Sequence, residues 1–123
     1  MGARRHTELD AWQLASELRE KATQLTKVRD FAQNAWLRSQ LTRATQSACS
    51  NIAEGFGRYQ PRDFARFLRM SRGSLTEVQE HLESARQAGI VGESEFRDLV
   101  HLASRAIGAV TRLIRYLEKA KAP

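Results

Sequence analysis

The chain has 123 residues, enough for one domain with a real core. Hydrophobic residues make up 41% and charged residues 28%, an ordinary globular balance, while 2 prolines and 7 glycines favour long helices over many short strands. A single cysteine, Cys49, excludes an internal disulfide, and the net charge of +6 attracts anions, nucleic acid being the commonest large one, although such a charge also serves solubility alone.

The basic start, Met1-Gly2-Ala3-Arg4-Arg5-His6, is not followed by the apolar run of a signal peptide. No segment approaches the roughly 18 apolar residues of a membrane span. A cytoplasmic location without membrane contact is therefore expected.

A first helix is predicted over about Glu8 to Lys27, with Thr7 as N-cap and Asp10 in the capping-box position. Its apolar stripe is Ala11, Leu14, Leu18, Ala22 and Leu25, whose steps of three and four keep one face. A second helix is predicted over about Phe31 to Glu54, with Asp30 and Gln33 as cap signals and Leu37, Leu41, Ala44, Ala48 and Ile52 as its stripe. It is expected to end at Gly55-Phe56-Gly57, where glycine can take the left-handed conformation.

The third helix starts after Gln60, with Pro61 in its first turn and Asp63 favouring its positive end. Phe64, Phe67/Leu68, Ser71, Leu75, Val78, Leu82 and Ala85 form the stripe, and Gly89 ends it, with Ile90 folding back. The fourth helix runs from near Gly92-Glu93-Ser94-Glu95 to about Lys119, with Phe96, Leu99/Val100, Ala103, Ile107, Val110, Ile114 and Leu117 facing inward. Arg115, Lys119 and Lys121 sit at its negative end. Four stripes of similar length, none able to be buried alone, imply an all-α fold: one up-down-up-down antiparallel four-helix bundle over residues 1–123, with 1–7 and 120–123 frayed.

Enzyme chemistry finds little footing. His6, His81 and His101 stand at no metal-ligand spacing, and no Glu-x-x-His pair of the di-iron bundles is present. Gly55-Phe56-Gly57-Arg58 lacks the Lys-Ser/Thr end of a phosphate loop. Cys49, among Ala44, Ser47, Ala48, Ser50 and Ala53, reads as a small packing residue and not a nucleophile. No cofactor is expected, and a binding or scaffold role is favoured over an enzyme with an unrecognised site.

Other residues lie off the stripes. Trp36, Gln40, Arg43, Ser47 and Glu54 flank the core line of the second helix, and Arg66, Met70, Gly73, Ser74 and Glu77 that of the third. In a hairpin turning near Arg58, Arg43 falls level with Ser74 and Glu77, and Glu54 with Arg62. Arg43 and Glu77 are expected to pair within a polar network that includes Ser47, Asn51, Glu54 and Ser74, linking helices or bridging subunits. The mid-helix Gly73 suggests that another backbone comes close. Arg58, Arg62, Arg66 and Arg69 step by four, four and three, so an outward stripe is expected. From Arg58 to Arg72 five arginines accompany one acid, Asp63, a local charge of +4 that suits RNA or DNA phosphates, the alternative being a solvated face held apart by like charge.

Gln40-Leu41-Thr42-Arg43-Ala44, Ser47 and Asn51-Ile52-Ala53-Glu54-Gly55-Phe56-Gly57-Arg58, continued by Phe64-Ala65-Arg66-Phe67-Leu68 and Gly73-Ser74-Leu75-x-Glu77, resemble the signature of the four-helix-bundle proteins found in intervening sequences of bacterial 23S rRNA genes. The likeness runs from Leu9-Asp10-Ala11-Trp12-Gln13 to the end of the fourth helix. The link Val28-Arg29-Asp30-Phe31 departs from it, lacking the Phe-Pro often found there. The resemblance implies an all-α bundle without known enzymatic activity, assembled as a cyclic homo-oligomer, with a pentamer favoured. It also implies kinship with accessory proteins of diversity-generating retroelements, which bind a reverse transcriptase and nucleic acid.

Overall fold

In the computed structural model of the chain, residues 2–120 are described. They form a short 3-10 turn, His6–Glu8, and five helices: α1 (Asp10–Thr26), α2 (Arg29–Ala32), α3 (Ala35–Phe56), α4 (Pro61–Gln87) and α5 (Glu93–Ala120). Four of these are long, and no strand occurs among the described residues. Around the core, α3 packs on α4, α4 on α5, and α1 fills the gap between α5 and α3. The stripes account for this arrangement. Leu18, Leu41, Ile52, Leu68, Leu75, Val78, Leu82 and Val110 are fully enclosed, while Leu14, Phe96 and Ile107 pack at the margin of the core.

Several details differ from the sequence reading. Thr7 does not cap α1: the N-cap position is Leu9, without a side-chain cap. The capping carboxylate is Glu8, which accepts from the backbone N–H groups of Arg4 and Arg5 at 3.3 and 3.1 Å. Ala3 rests against the core at this end, and Lys121, at the other, lies outside the described residues.

The second predicted helix is two helices. The turn of α2 drives Phe31 into the core with no exposure, and the chain then breaks before Ala35. Neither Asp30 nor Gln33 caps α3. Asn34 does, its side-chain oxygen accepting from the Leu37 N–H at 3.2 Å.

At the end of α3 neither glycine is left-handed. Gly57 has φ −74°, and the positive φ, 63°, falls on Tyr59. Gly55 has a different task. A methyl group there would stand 2.8 Å from both Phe64 Cδ1 and Phe67 Cβ and 3.2 Å from the Phe64 carbonyl oxygen. Glycine therefore lets α3 and α4 close against each other just before the turn.

The end of α4 follows expectation: Gly89 has φ 74°, its N–H donates to Arg86 O, and the Ile90 N–H reaches back to Ala85 O at 3.0 Å.

Gly55→Ala should lower the melting temperature. Overpacking costs about 1–3 kcal/mol, and the better helix propensity of alanine returns only about 1 kcal/mol. Thermal unfolding followed by circular dichroism checks this; an unchanged or raised midpoint would show that the close approach is not required.

Candidate functional site

The outer seam between α3 and α4 gathers most of the residues singled out from the sequence. The two helices run antiparallel. Their register is set by the Ser71 hydroxyl, which donates to Ala48 O at 2.7 Å in the core, and by Ser47 and Ser74, whose hydroxyl oxygens stand 2.9 Å apart. Asn51 joins them, its amide donating to Ser47 O at 2.9 Å and to Ser47 Oγ at 3.1 Å. Ser47, Asn51 and Ser74 thus form the expected polar cluster. Small side chains keep the helices near enough for these short groups to meet.

The charged members of that network behave differently. Arg43 and Glu77 line one shallow concavity of about 250 Å3 with Gln40, Ala44 and Ser47. Their levels match the expected register, yet both are exposed and no ion pair joins them. The expected partly buried pair is therefore absent within one chain. In water, two long side chains gain little by holding a single geometry. Glu54 does not reach Arg62; its carboxylate pairs instead with Arg58, one turn on, at 3.2 Å.

The arginine run is not a bare stripe. Arg58 and Arg66 both set their guanidinium groups over the Phe67 ring, at 4.8 and 4.5 Å from its centroid. Contacts of this kind contribute about 0.5–1 kcal/mol each near a surface. Arg66 also lies 3.8 Å from Asp63, and Arg69 pairs with Glu118 of α5. Of the four candidate phosphate-binding residues, Arg62 alone has no carboxylate partner among the described residues. Counted with Arg72, the run holds five arginines, but Glu54, Asp63 and Glu118 reduce its local charge to +2.

Gly73 sits on the same outer face. Nothing lies within 4 Å of where its Cβ would be, so the expected close approach does not come from the chain's own helices. Met70, one turn before it, is 48% exposed, and Trp36 at the far end of the seam is 66% exposed. Trp36 meets His81 edge to face at 6.3 Å, and His81 Nε2 is buried without a hydrogen-bond partner. The roles of Phe67 and His81 were not read from the sequence. Phe67 is buried as its spacing predicts, but the spacing does not show that two guanidinium groups cover its ring, and His81 has no local partner to mark it.

Cys49 is 1% exposed, and burial pushes its thiol above the ordinary value, with the Arg19 charge opposing more weakly. Among the described residues no three His, Cys, Asp or Glu side chains gather in a metal-binding group, and no helix is long and apolar enough to cross a membrane.

These features describe a small all-α protein whose distinctive residues lie along a helix–helix seam at the surface. The chain belongs to the 23S rRNA-intervening sequence protein family, whose sequence model matches residues 7–112. No curated protein matches it.

Two expectations follow. Arg43→Ala, Glu77→Ala and the double variant should each change unfolding free energy by less than about 0.5 kcal/mol, with no coupling in a double-mutant cycle under conditions that keep the chain monomeric. Coupling above about 1 kcal/mol there would restore the intrachain pair. Cys49 should react with a thiol reagent at neutral pH only at the rate of unfolding, because the buried thiol stays protonated. Rapid native-state labelling would contradict its burial.

Proposed function

We propose that the protein works by binding and self-assembly, without catalysis, as a cyclic homo-oligomer of up-down-up-down antiparallel four-helix bundles in the cytoplasm. In this reading the α3–α4 seam of one subunit meets a different surface of the next, as a closed ring requires. The supporting observation is Gly73. It stands exposed in the middle of a 27-residue helix with open space above it. An exposed mid-helix glycine costs about 1 kcal/mol relative to alanine. No contact within the chain offsets that cost, whereas a neighbouring subunit's backbone laid over the glycine would.

The surroundings support the same reading. Met70 and Trp36 place apolar surface in solvent, and Arg43 and Glu77 offer opposite charges with no ion-pair partner among the described residues. Aromatic, methionine and arginine side chains are those enriched where proteins meet. Five subunits is the number the family resemblance favours. An accessory role beside a reverse transcriptase, also offered by that resemblance, fits a scaffold of this kind.

Binding of RNA or DNA by the arginine run is a second reading. It rests on Arg62 and on whatever Arg58, Arg66 and Arg69 release from their present partners. Such binding would be weak, sequence-independent and steeply salt-sensitive.

Light scattering coupled to size exclusion at micromolar concentration tests assembly. The expected mass is a multiple of 14.0 kDa, with five copies favoured. Gly73→Gln should fold at least as stably, since its side chain enters open space and glutamine is the better helix former, yet it should remain at 14.0 kDa. A monomeric parent protein, or a Gly73→Gln variant that assembles like the parent, would overturn the reading.

A further inference from the structure

The end of the molecule where α3 turns into α4 carries a concavity that none of Arg43, Met70, Gly73 or Glu77 lines. Phe56, Tyr59, Pro61 and Phe64 from the turn, Tyr116 from α5 and Arg4 from the N-terminal segment line this concavity of about 440 Å3. That volume lies within the range of small-ligand pockets. Phe56 and Phe64 meet edge to face at 6.0 Å and give it an aromatic wall.

Tyr59 is the one non-glycine residue among those described with a positive φ, 63°. This is a backbone region that bulky L side chains rarely occupy. Tyr59 is 89% exposed, so packing within the chain offsets little of the strain. Glycine would make the same turn freely. A large aromatic ring held in water on a strained turn is an outlier that calls for a functional reason.

The charges around the concavity are one-sided. Arg4 lines it, Arg62 follows Pro61, and Lys119 sits on the α5 turn that supplies Tyr116 and Ala120 to the lining. None of the three cations is in an ion pair among the described residues. Among the described residues the neighbouring carboxylates are engaged: Glu8 by backbone N–H groups, Asp63 by Arg66 and Glu118 by Arg69. Aromatic surface beside uncompensated cations suits a flat ring that carries phosphate.

We propose that this concavity binds an unpaired base of single-stranded nucleic acid, stacked on Tyr59, with the flanking phosphates met by Arg4, Arg62 and Lys119. Stacking on an exposed aromatic ring is sequence-tolerant, because every base has a π-face. A duplex keeps its base faces covered and meets only the charge. The concavity is complete within one chain, so this assignment stands apart from the subunit number.

The test is an anisotropy titration of a short labelled RNA strand, and of its duplex, against the full chain at low and moderate salt. The single strand should bind more tightly than the duplex. Tyr59→Gly should weaken single-strand binding about tenfold, the order expected for one lost base–aromatic stack. It should leave duplex binding unchanged and the melting temperature equal or higher, because glycine relieves the left-handed turn. Arg62→Glu should weaken both. Equal affinity for strand and duplex, unchanged affinity in Tyr59→Gly, or no binding at low salt would overturn the assignment. Displacement of the strand by an equimolar amount of adenosine monophosphate would also overturn it, by assigning the pocket to free nucleotides.

Discussion

The close approach of α3 and α4 at Gly55 is the contact on which the rest of the seam depends. With only a hydrogen on its Cα, Gly55 lets the Phe64 ring and the Phe67 stem press onto the α3 backbone. That closeness brings a hydroxyl as short as that of Ser71 within reach of the Ala48 carbonyl, and lets Ser47 meet Ser74 farther along. It also holds Phe67 at the surface edge, where Arg58 and Arg66 gather over it. A side chain at position 55 would push the helices apart where the hairpin begins, and the loss would run along the register. Interiors packed at crystal-like density transmit such a shift and do not absorb it locally.

The helices themselves were legible because burial repeats with helical spacing. Every residue of the α4 stripe from Phe64 to Ala85 is buried, as is Ser74, which the spacing sets beside it, and Gly89 stops the helix. What escaped was set by partners distant in sequence or by the conformation of a single residue. Phe31 looked like the start of a helix, but the chain makes one turn there so that the ring can plug the core, then restarts at Asn34. Standing at a helix end, Gly55 and Gly57 have the pattern of turn residues. The left-handed position is Tyr59, and no rule of propensity places a tyrosine there.

The candidate site shows the same division. Register puts Arg43 level with Glu77, with Ser47 and Ser74 as polar groups nearby; the structure gathers Arg43, Ser47 and Glu77 around one concavity and brings Ser47 onto Ser74. Contact followed only for the short side chains, which are held by the backbone. The long charged ones are solvated and have no single geometry to hold. The arginine run was read as a +4 patch because a local count includes Asp63 but not Glu118 on α5 or Glu54 on α3. Folding recruits those carboxylates and leaves Arg62 as the member of the Arg58–Arg69 run without a carboxylate partner among the described residues. The family match spans residues 7–112 and assigns no activity to any of them, and a fold alone does not fix a function.

Covering of the α3–α4 seam by a second copy is the central claim, and the fluorescence of Trp36 reports on it directly. In a Trp12→Phe variant Trp36 is the single indole, and in an isolated chain it is 66% exposed. Emission should be solvent-like in dilute solution and shift to the blue as concentration rises, in step with the increase in mass. Solvent-like emission at every concentration, while the mass still rises above 14.0 kDa, would show that the subunits meet through another face.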